Sequence, residues 1–472
     1  MSIINNMPQK GGAGINGIIE QYYVAAGETV NAGDFVEFVN GVGNRSSDYG
    51  KSQRQLLHDG AYTGWTIKAV ALDSTKVLII HTWLSSFYLY CTLVKIDNST
   101  NQLLITKISQ TSIDLEGKSQ YFDACVIDAN RVFIAYSYGD YCKYRGIILN
   151  ISSYVTKGTA VELFGNSSTN YEISVAILNG TTAVVTSGYL GEAYSVACTI
   201  DDTTITVGTV TQITTNDNTG YSISSTKLTD TTAFVTYAYK TVTGMYGLIL
   251  TIEGTSLTYT NAQDMSNIGS HQYTACAILM SSTSSTQKVF VAFGGGGDSG
   301  YLKGIVCEIS NGTLTWGESV ALTAETGSRD YISASKISSV YVAISYLASN
   351  SIKALMVFPY STTSLYIYDP VTIQTHNSRD FDIVAFKNNG IDKILLAYSG
   401  TSDESYPLYG TVLKADTSSK TFPTTIGTIT YETQVLSTIA EVANGVAKGS
   451  GQGGDDMGHK DIIEIYVPGT TT

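Results

Sequence analysis

Two short segments hold the residue types that can grip a polar ligand. Ser328-Arg329-Asp330-Tyr331 and Ser378-Arg379-Asp380-Phe381 lie 50 residues apart. A guanidinium and a carboxylate supply donors and acceptors, and the neighbouring ring supplies a flat apolar face. That combination suits a sugar. It equally makes a local ion pair that fixes a loop, which is the simpler account. Arg329, Asp330, Tyr331, Arg379, Asp380 and Phe381 are therefore candidate binding residues, and no catalytic residue is assigned.

The other chemistry-bearing residues point less far. The chain has five histidines. His81 lies inside the apolar run VLIIHTW and reads as a packed core histidine. Asp455, Asp456, His459 and Asp461 are close enough in sequence to ligate a metal, but their Gly-rich setting reads as a solvated loop, so no metal is assigned. GGGGDSG from Gly294 follows one strand and leads into another. Without a following helix N-terminus it is a hairpin and not a phosphate cradle. A G-x-S-x-G elbow, an H-E-x-x-H helix and a calcium-binding D-x-D-x-D-G loop are absent from the sequence. So is the S-x-D-x-G-x-T-W box of sialidase-like folds. No carboxylate pair suited to glycoside cleavage stands out. No cofactor is expected.

The elements that must position these residues are repeats. A hydrophobic phrase recurs seven times, as VLIIHTW from Val77, VFIAYSY from Val132, AVVTSGY from Ala183, AFVTYAY from Ala233, VFVAFGG from Val289, YVAISYL from Tyr341 and ILLAYSG from Ile394. The spacing is about 53 residues, and four short strands fit in each unit, the signature of a propeller blade. In the second unit YFDACVID reads as strand a, RVFIAYSY as strand b, YRGIILNI as strand c and, after a Ser-rich turn, GTAVELF from Gly158 as strand d. The b strand is almost continuously apolar, as expected when both faces are covered. Strand a opens near an aromatic each time, at Trp65, Tyr121, Tyr171, Tyr221, Tyr273, Tyr331 and Phe381. Strand c often places Gly beside Tyr, as at Gly146, Gly247 and Gly410, which suits close packing between blades. A β-solenoid is the rival topology, but its coils are usually shorter.

A seven-bladed propeller over residues 55–435 is the expectation. Two segments compete to close its ring, QLLHDGAYTGW from Gln55 and TFPTTIGTITYETQ from Thr421. If strand a is innermost, the Arg-Asp loops open on a central funnel.

Composition narrows the function. Charged residues are 14% of the chain, well under the usual quarter. The net charge of −13 repels phosphate backbones and argues against nucleic acid as a partner. No 18-residue apolar run suggests a membrane helix, and MSIINNMPQKGGAG lacks the pattern of a secretory signal. The six cysteines include no C-x-x-C pair and read as small buried hydrophobes. That fits synthesis in a reducing cytoplasm.

Residues 1–50 and 436–472 do not follow the repeat. Each is too small for a core of its own. The expectation is one small β-domain built from both ends, with the propeller inserted in it. The phrases AAGETVNAGDFV from Ala25, ANGVAKGSGQGG from Ala443 and DIIEIYVP from Asp461 resemble the small β-domain of tailed-phage virion proteins, of the head-decoration and head- or tail-fibre type. The resemblance spans roughly 80 residues at the two ends and brings no catalytic residues. It implies a virion location after synthesis in the host cytoplasm. It also implies docking of the terminal domain on the major capsid or another virion protein, in a homo-oligomer or symmetric array. A host surface glycan would be the ligand. Capsid decoration or a head fibre is the leading reading. A tail receptor-binding protein and a glycan-degrading enzyme are the alternatives.

Overall fold

In a computed structural model the propeller has seven blades, and every described element is a β-strand. The structure describes the strands and many turns between residues 66 and 415. Beyond that span it describes the strands Gly17–Tyr23, Thr29–Val30, Phe35–Val39, Val42–Arg45, Gln55–His58, Ile429–Tyr431, Gly445–Ala447, Gly451–Gln452 and Ile462–Pro468.

Each blade is an antiparallel sheet with strand order a-b-c-d. The a strands are Ile67–Ala71, Phe122–Asp128, Ile173–Asn179, Thr219–Lys227, Tyr273–Ile278, Ile332–Lys336 and Phe381–Asn388. Each neighbours the a strand of the blade on either side, and Phe381–Asn388 neighbours Ile67–Ala71. The a strands therefore form a closed inner ring.

The recurring hydrophobic phrase is strand b, as the repeat predicts. In the second blade, Arg131–Tyr138, the side chains of Val132, Phe133, Ile134 and Ala135 have no exposed surface. Successive side chains leave opposite faces of a strand. Val132 and Ile134 pack against Leu78 and Ile80 of the first blade. Phe133 and Ala135 pack with Val175 and Val185 of the third. An uninterrupted apolar run is what a strand needs when both its faces are core.

The outer strand departs from expectation. In the second blade it begins earlier, at Val155–Lys157, breaks, and resumes as Val161–Phe164, both pieces pairing with strand c. The same break recurs in blades three to six. At the break Gly158 N–H still donates to Ile148 O at 2.8 Å, and Gly208 N–H donates to Ala197 O at 2.9 Å. A Cβ on Gly208 would overlap the carbonyl oxygen of Thr255 in the next blade. Glycine at that position lets the outer strands nest. Strand c shows a related device: the ring of Trp316, from blade five, lies over Gly247 of blade four, 2.6 Å from where a Cβ would stand.

Both competing segments close the ring. Strand c of blade seven, Leu408–Ala415, pairs with Ile429–Tyr431 through Leu413–Ala415 and also with Gln55–His58. The two pieces match the two halves of the outer strand elsewhere. The first comes from the C-terminal side of the propeller and the second from its N-terminal side.

The chain divides into two compact units, residues 56–96 with 106–432, and residues 1–55 with 97–105 and 433–472. In the second of these, Gly17–Tyr23 pairs antiparallel with Ile462–Pro468, Ile18 facing Val467. Gly445–Ala447, Phe35–Val39 and Val42–Arg45 extend this sheet to five strands. Asp455, Asp456, His459 and Asp461 lie outside the described residues.

Candidate functional site: the inner ring

An innermost strand has a free edge, and its N–H groups need partners. The sequence supplies them at one repeating position. Opposite Ile80, Ala135, Thr186, Thr236, Ala292, Ser345 and Ala397 of the b strands stand Lys68, Asp123, Ser174, Ser224, Ala275, Ser333 and Asp382. Six of these seven are polar.

They share a bonding rule. The side chain at this position accepts the N–H that follows the same position in the next blade. Asp123 Oδ2 accepts from Val175 N at 2.7 Å. Ser174 Oγ accepts from Ser225 N at 2.9 Å, and Ser333 Oγ from Ile383 N at 3.3 Å. Asp382 Oδ2 accepts from Ala69 N at 2.7 Å, across the junction where the ring closes. The rule repeats one step along the strands: Glu172 Oε2 accepts from Ile223 N at 3.3 Å, and Ser335 Oγ from Ala385 N at 2.9 Å.

Lys68 is the exception, being a donor. Its Nζ lies 3.1 Å from Asp123 Oδ1 and 3.9 Å from Asp382 Oδ2, bridging blade one to both neighbours. Protein surrounds it, yet solvent reaches 32% of its side-chain surface. Burial works against the ammonium, but the two carboxylates outweigh it and hold its pKa above the ordinary lysine value. Burial raises Asp382, with Lys68 and the Ala69 N–H pulling partly back. The remaining oxygen of Asp382 accepts from Ser333 Oγ. Each oxygen of Asp123 and Asp382 thus faces a donor that belongs to the framework.

Two residues earlier in the chain stand Thr66, Tyr121, Glu172, Ser222, Tyr273, Tyr331 and Asp380, the first three and the last two just before their strands begin. Burial pushes the Glu172 carboxyl up to about 8; bonds from Ser222 and Ile223 N–H pull it back, and Asp123 adds to the rise.

The sequence candidates fall partly in this set. Arg329, Asp330 and Arg379 lie outside the described residues. Tyr331 is half-buried with φ +74°. Asp380 is buried, and its carbonyl accepts from Ser399 N at 3.0 Å. Phe381 is buried in the core with Ile383 and Tyr398. The two segments are one residue out of step. Ile332 faces Tyr346 and Phe381 faces Tyr398, so Tyr331 matches Asp380 and not Phe381. A one-residue offset turns a side chain to the other face.

His81 is a core histidine. It is 1% exposed, with Nε2 3.0 Å from Thr92 Oγ1 and its ring stacked on Tyr90. Cys91, Cys198 and Cys307 are buried free thiols, each pushed up to about 12, chiefly by burial. At that value they are inert packing groups. The sequence reading missed the inner ring entirely. Its signal, a polar residue at one fixed position in six of seven repeats, shows only when each strand a is aligned through its pairing with strand b.

No family model matches the chain, and no curated protein does either. Among solved structures it is similar to a mutant of the Aleuria aurantia lectin, at 14% identity over 67% of this chain and 98% of that one, with a TM-score of 0.44. The periplasmic gluconolactonase of Pseudomonas aeruginosa matches at 13% identity over 74% and 96%, with a TM-score of 0.48. The WD40 domain of Toxoplasma gondii coronin matches at 9% identity over 84% and 86%, with a TM-score of 0.47. Likenesses of this size carry no argument about ligand or reaction.

Proposed function

We propose that this protein is a non-enzymatic attachment protein, in which the propeller binds a surface glycan and the paired chain ends dock it on a larger assembly. One observation carries the reading. The inner ring, where a propeller enzyme would keep its reactive carboxylates, uses Asp123 and Asp382 to join blades. A carboxylate already facing framework donors on both oxygens is poorly placed to act as nucleophile or base. Binding, by contrast, needs only a rigid frame that holds residues at one end of the ring.

The assembly we propose is a tailed-phage particle, on the strength of the terminal phrases around Ala25, Ala443 and Asp461. The terminal unit would contact the major capsid or another virion protein. Many symmetric copies would turn weak glycan contacts into firm attachment. Gold-labelled antibody on purified particles tests this. Label over the whole head supports decoration or a head fibre. Label at one vertex moves the protein to the tail, as a receptor-binding protein. Unlabelled particles remove the virion reading altogether.

A second reading, glycan cleavage, has Glu172 in its favour. A carboxyl held up to about 8 beside Asp123 has the protonation state of a general acid. Release of sugar from cell-wall polysaccharide, abolished in Glu172→Gln, would replace attachment by catalysis.

A further inference from the structure

The tripeptide Asn-Gly-Thr occurs twice in the chain, at residues 179–181 and 311–313. Asparagine followed by glycine can lose ammonia without an enzyme. The backbone nitrogen of the glycine attacks the asparagine Cγ, and glycine has no Cβ to hinder the approach. The new N–Cγ bond closes a succinimide ring, the Cγ–Nδ2 bond breaks, and ammonia leaves. Water then opens the ring at one of its two carbonyls. The product is aspartate or, with the chain rerouted through the side chain, isoaspartate. Water is the only co-reactant. The two copies share the attacking residue and the one after it, so the fold sets the difference between them.

At residues 179–181 the fold ties the amide down. Asn179 ends strand a of blade three, opposite Thr182 of strand b. Its Nδ2 donates to Asp230 O of blade four at 2.9 Å. Its Oδ1 accepts from Thr181 N at 2.9 Å and from Thr181 Oγ1 at 2.8 Å. Thr181 O in turn accepts from Ile200 N at 2.8 Å, which fixes the turn to strand c. For Gly180 N to reach Cγ, the side chain must give up its bonds. Each is worth about a two- to tenfold factor in the population of the open form.

At residues 311–313 the amide is untied. Asn311 and Gly312 form the two-residue turn between strands c and d of blade five, Lys303–Ser310 and Thr313–Trp316. Their φ values, +50° and +75°, are both positive, as a type I′ hairpin requires. Asn311, Gly312 and Thr313 are all exposed. The Asn311 side chain has no hydrogen-bond partner among the described residues. A Cβ on Gly312 would meet nothing within 4 Å, so the turn has room to change shape.

This turn also sets a register. It places Thr313 opposite Ser310 and Trp316 opposite Cys307. The Trp316 ring then lies over Gly247 of blade four. Isoaspartate at 311 would add its Cβ to the backbone path of a turn only two residues long.

We infer that Asn311 is a site of spontaneous deamidation, that the fold protects Asn179 from the same reaction, and that isoaspartate at 311 loosens the outer strand of blade five.

The whole protein, aged in mildly alkaline buffer made with heavy-oxygen water, tests this by mass spectrometry of its peptides. Asn311 should take up the label about tenfold faster than Asn179, or more. In urea-unfolded protein the two should react at similar rates. Asn311→Gly, which suits a positive φ, should fold as wild type and show no uptake at that turn. The converted protein carries one more negative charge and separates by anion exchange. Its isoaspartate fraction should exchange amide hydrogens faster along Thr313–Trp316 than fresh protein does, with Arg131–Tyr138 unchanged. Equal rates at the two sites in folded protein, faster uptake at Asn179, or none at Asn311 would overturn the assignment. A contrast that persists in urea would remove the fold as its cause. Unchanged exchange in the isoaspartate fraction would refute the loosening.

Discussion

The junction between blades seven and one and the junction between blades three and four solve the same problem with different chemistry. At their lower ends they are alike. Asn388 Nδ2 donates to Ser74 O at 2.5 Å in the first, and Asn179 Nδ2 to Asp230 O at 2.9 Å in the second. At the axis they differ. The interior junction uses neutral hydroxyls, Ser174 and Ser225, 2.9 Å apart. The closing junction uses a carboxylate, Asp382, which takes the Ala69 N–H and faces Lys68. Its outer strand is also assembled from two distant pieces, Ile429–Tyr431 and Gln55–His58. Blades three and four are consecutive in the chain, so loop closure there costs little. Blades seven and one are joined by pairing alone, and their meeting carries the entropy of closing several hundred residues. Of these two junctions, the one the chain does not hold together has the charged acceptor, a device that also joins blades two and three through Asp123 and Val175 N–H. Hydrogen bonds to charged groups contribute about 1.5–3 kcal/mol, against about 0.5–1.5 for neutral ones.

The sharpest way to break this contrast is Asp382→Ala. It removes the acceptor of Ala69 N–H and one of the two carboxylates facing Lys68, and should cost roughly 3–5 kcal/mol. Urea unfolding measures the loss, and hydrogen exchange should show strand Ile67–Ala71 opening first. The double change Leu56→Pro with Leu57→Pro comes next. One of two adjacent N–H groups points toward the partner strand, and losing it should cost roughly 3 kcal/mol. Exchange protection along Leu408–Ala415 should drop while that of Arg131–Tyr138 stays. Ser174→Ala, at the interior junction, should cost only about 1 kcal/mol. If it matches Asp382→Ala in urea unfolding, the two junctions are equivalent and the contrast is wrong.

Glu172→Gln should have the smallest effect at acid pH and shows itself as a slope. Burial raises the carboxyl's folded pKa to about 8, above its ordinary value of 4.5. The folded state therefore favours the protonated form. Its contribution is complete below about pH 4.5 and is lost as pH rises through about 8. The unfolding temperature of wild type should fall across that window relative to Glu172→Gln. Parallel curves would mean that Glu172 is charged in the folded protein.

Much of the propeller was legible from residues such as Val132-Phe133-Ile134-Ala135. A strand covered on both faces must be apolar at every position, and that is a local demand. The glycine beside tyrosine in strand c was legible on similar grounds. The inner ring was not. Aligning strands on their first aromatic puts Tyr331 opposite Phe381, whereas pairing with strand b puts it opposite Asp380. The aromatics serve packing and fall at slightly different places in each blade. The polar positions serve the next blade's backbone, and only true register lines them up.

By itself, the sequence determined the all-β class, the number of blades and the buried b strands, because burial on both faces acts on each strand separately. Tertiary structure alone decided how the ring closes, and it turned Lys68, Asp123 and Asp382, scattered over more than 300 residues, into one cluster. It also decided that Tyr331 matches Asp380 and not Phe381. Those assignments depend on which N–H of one blade meets which side chain of the next, and that is fixed only once all seven blades share an axis.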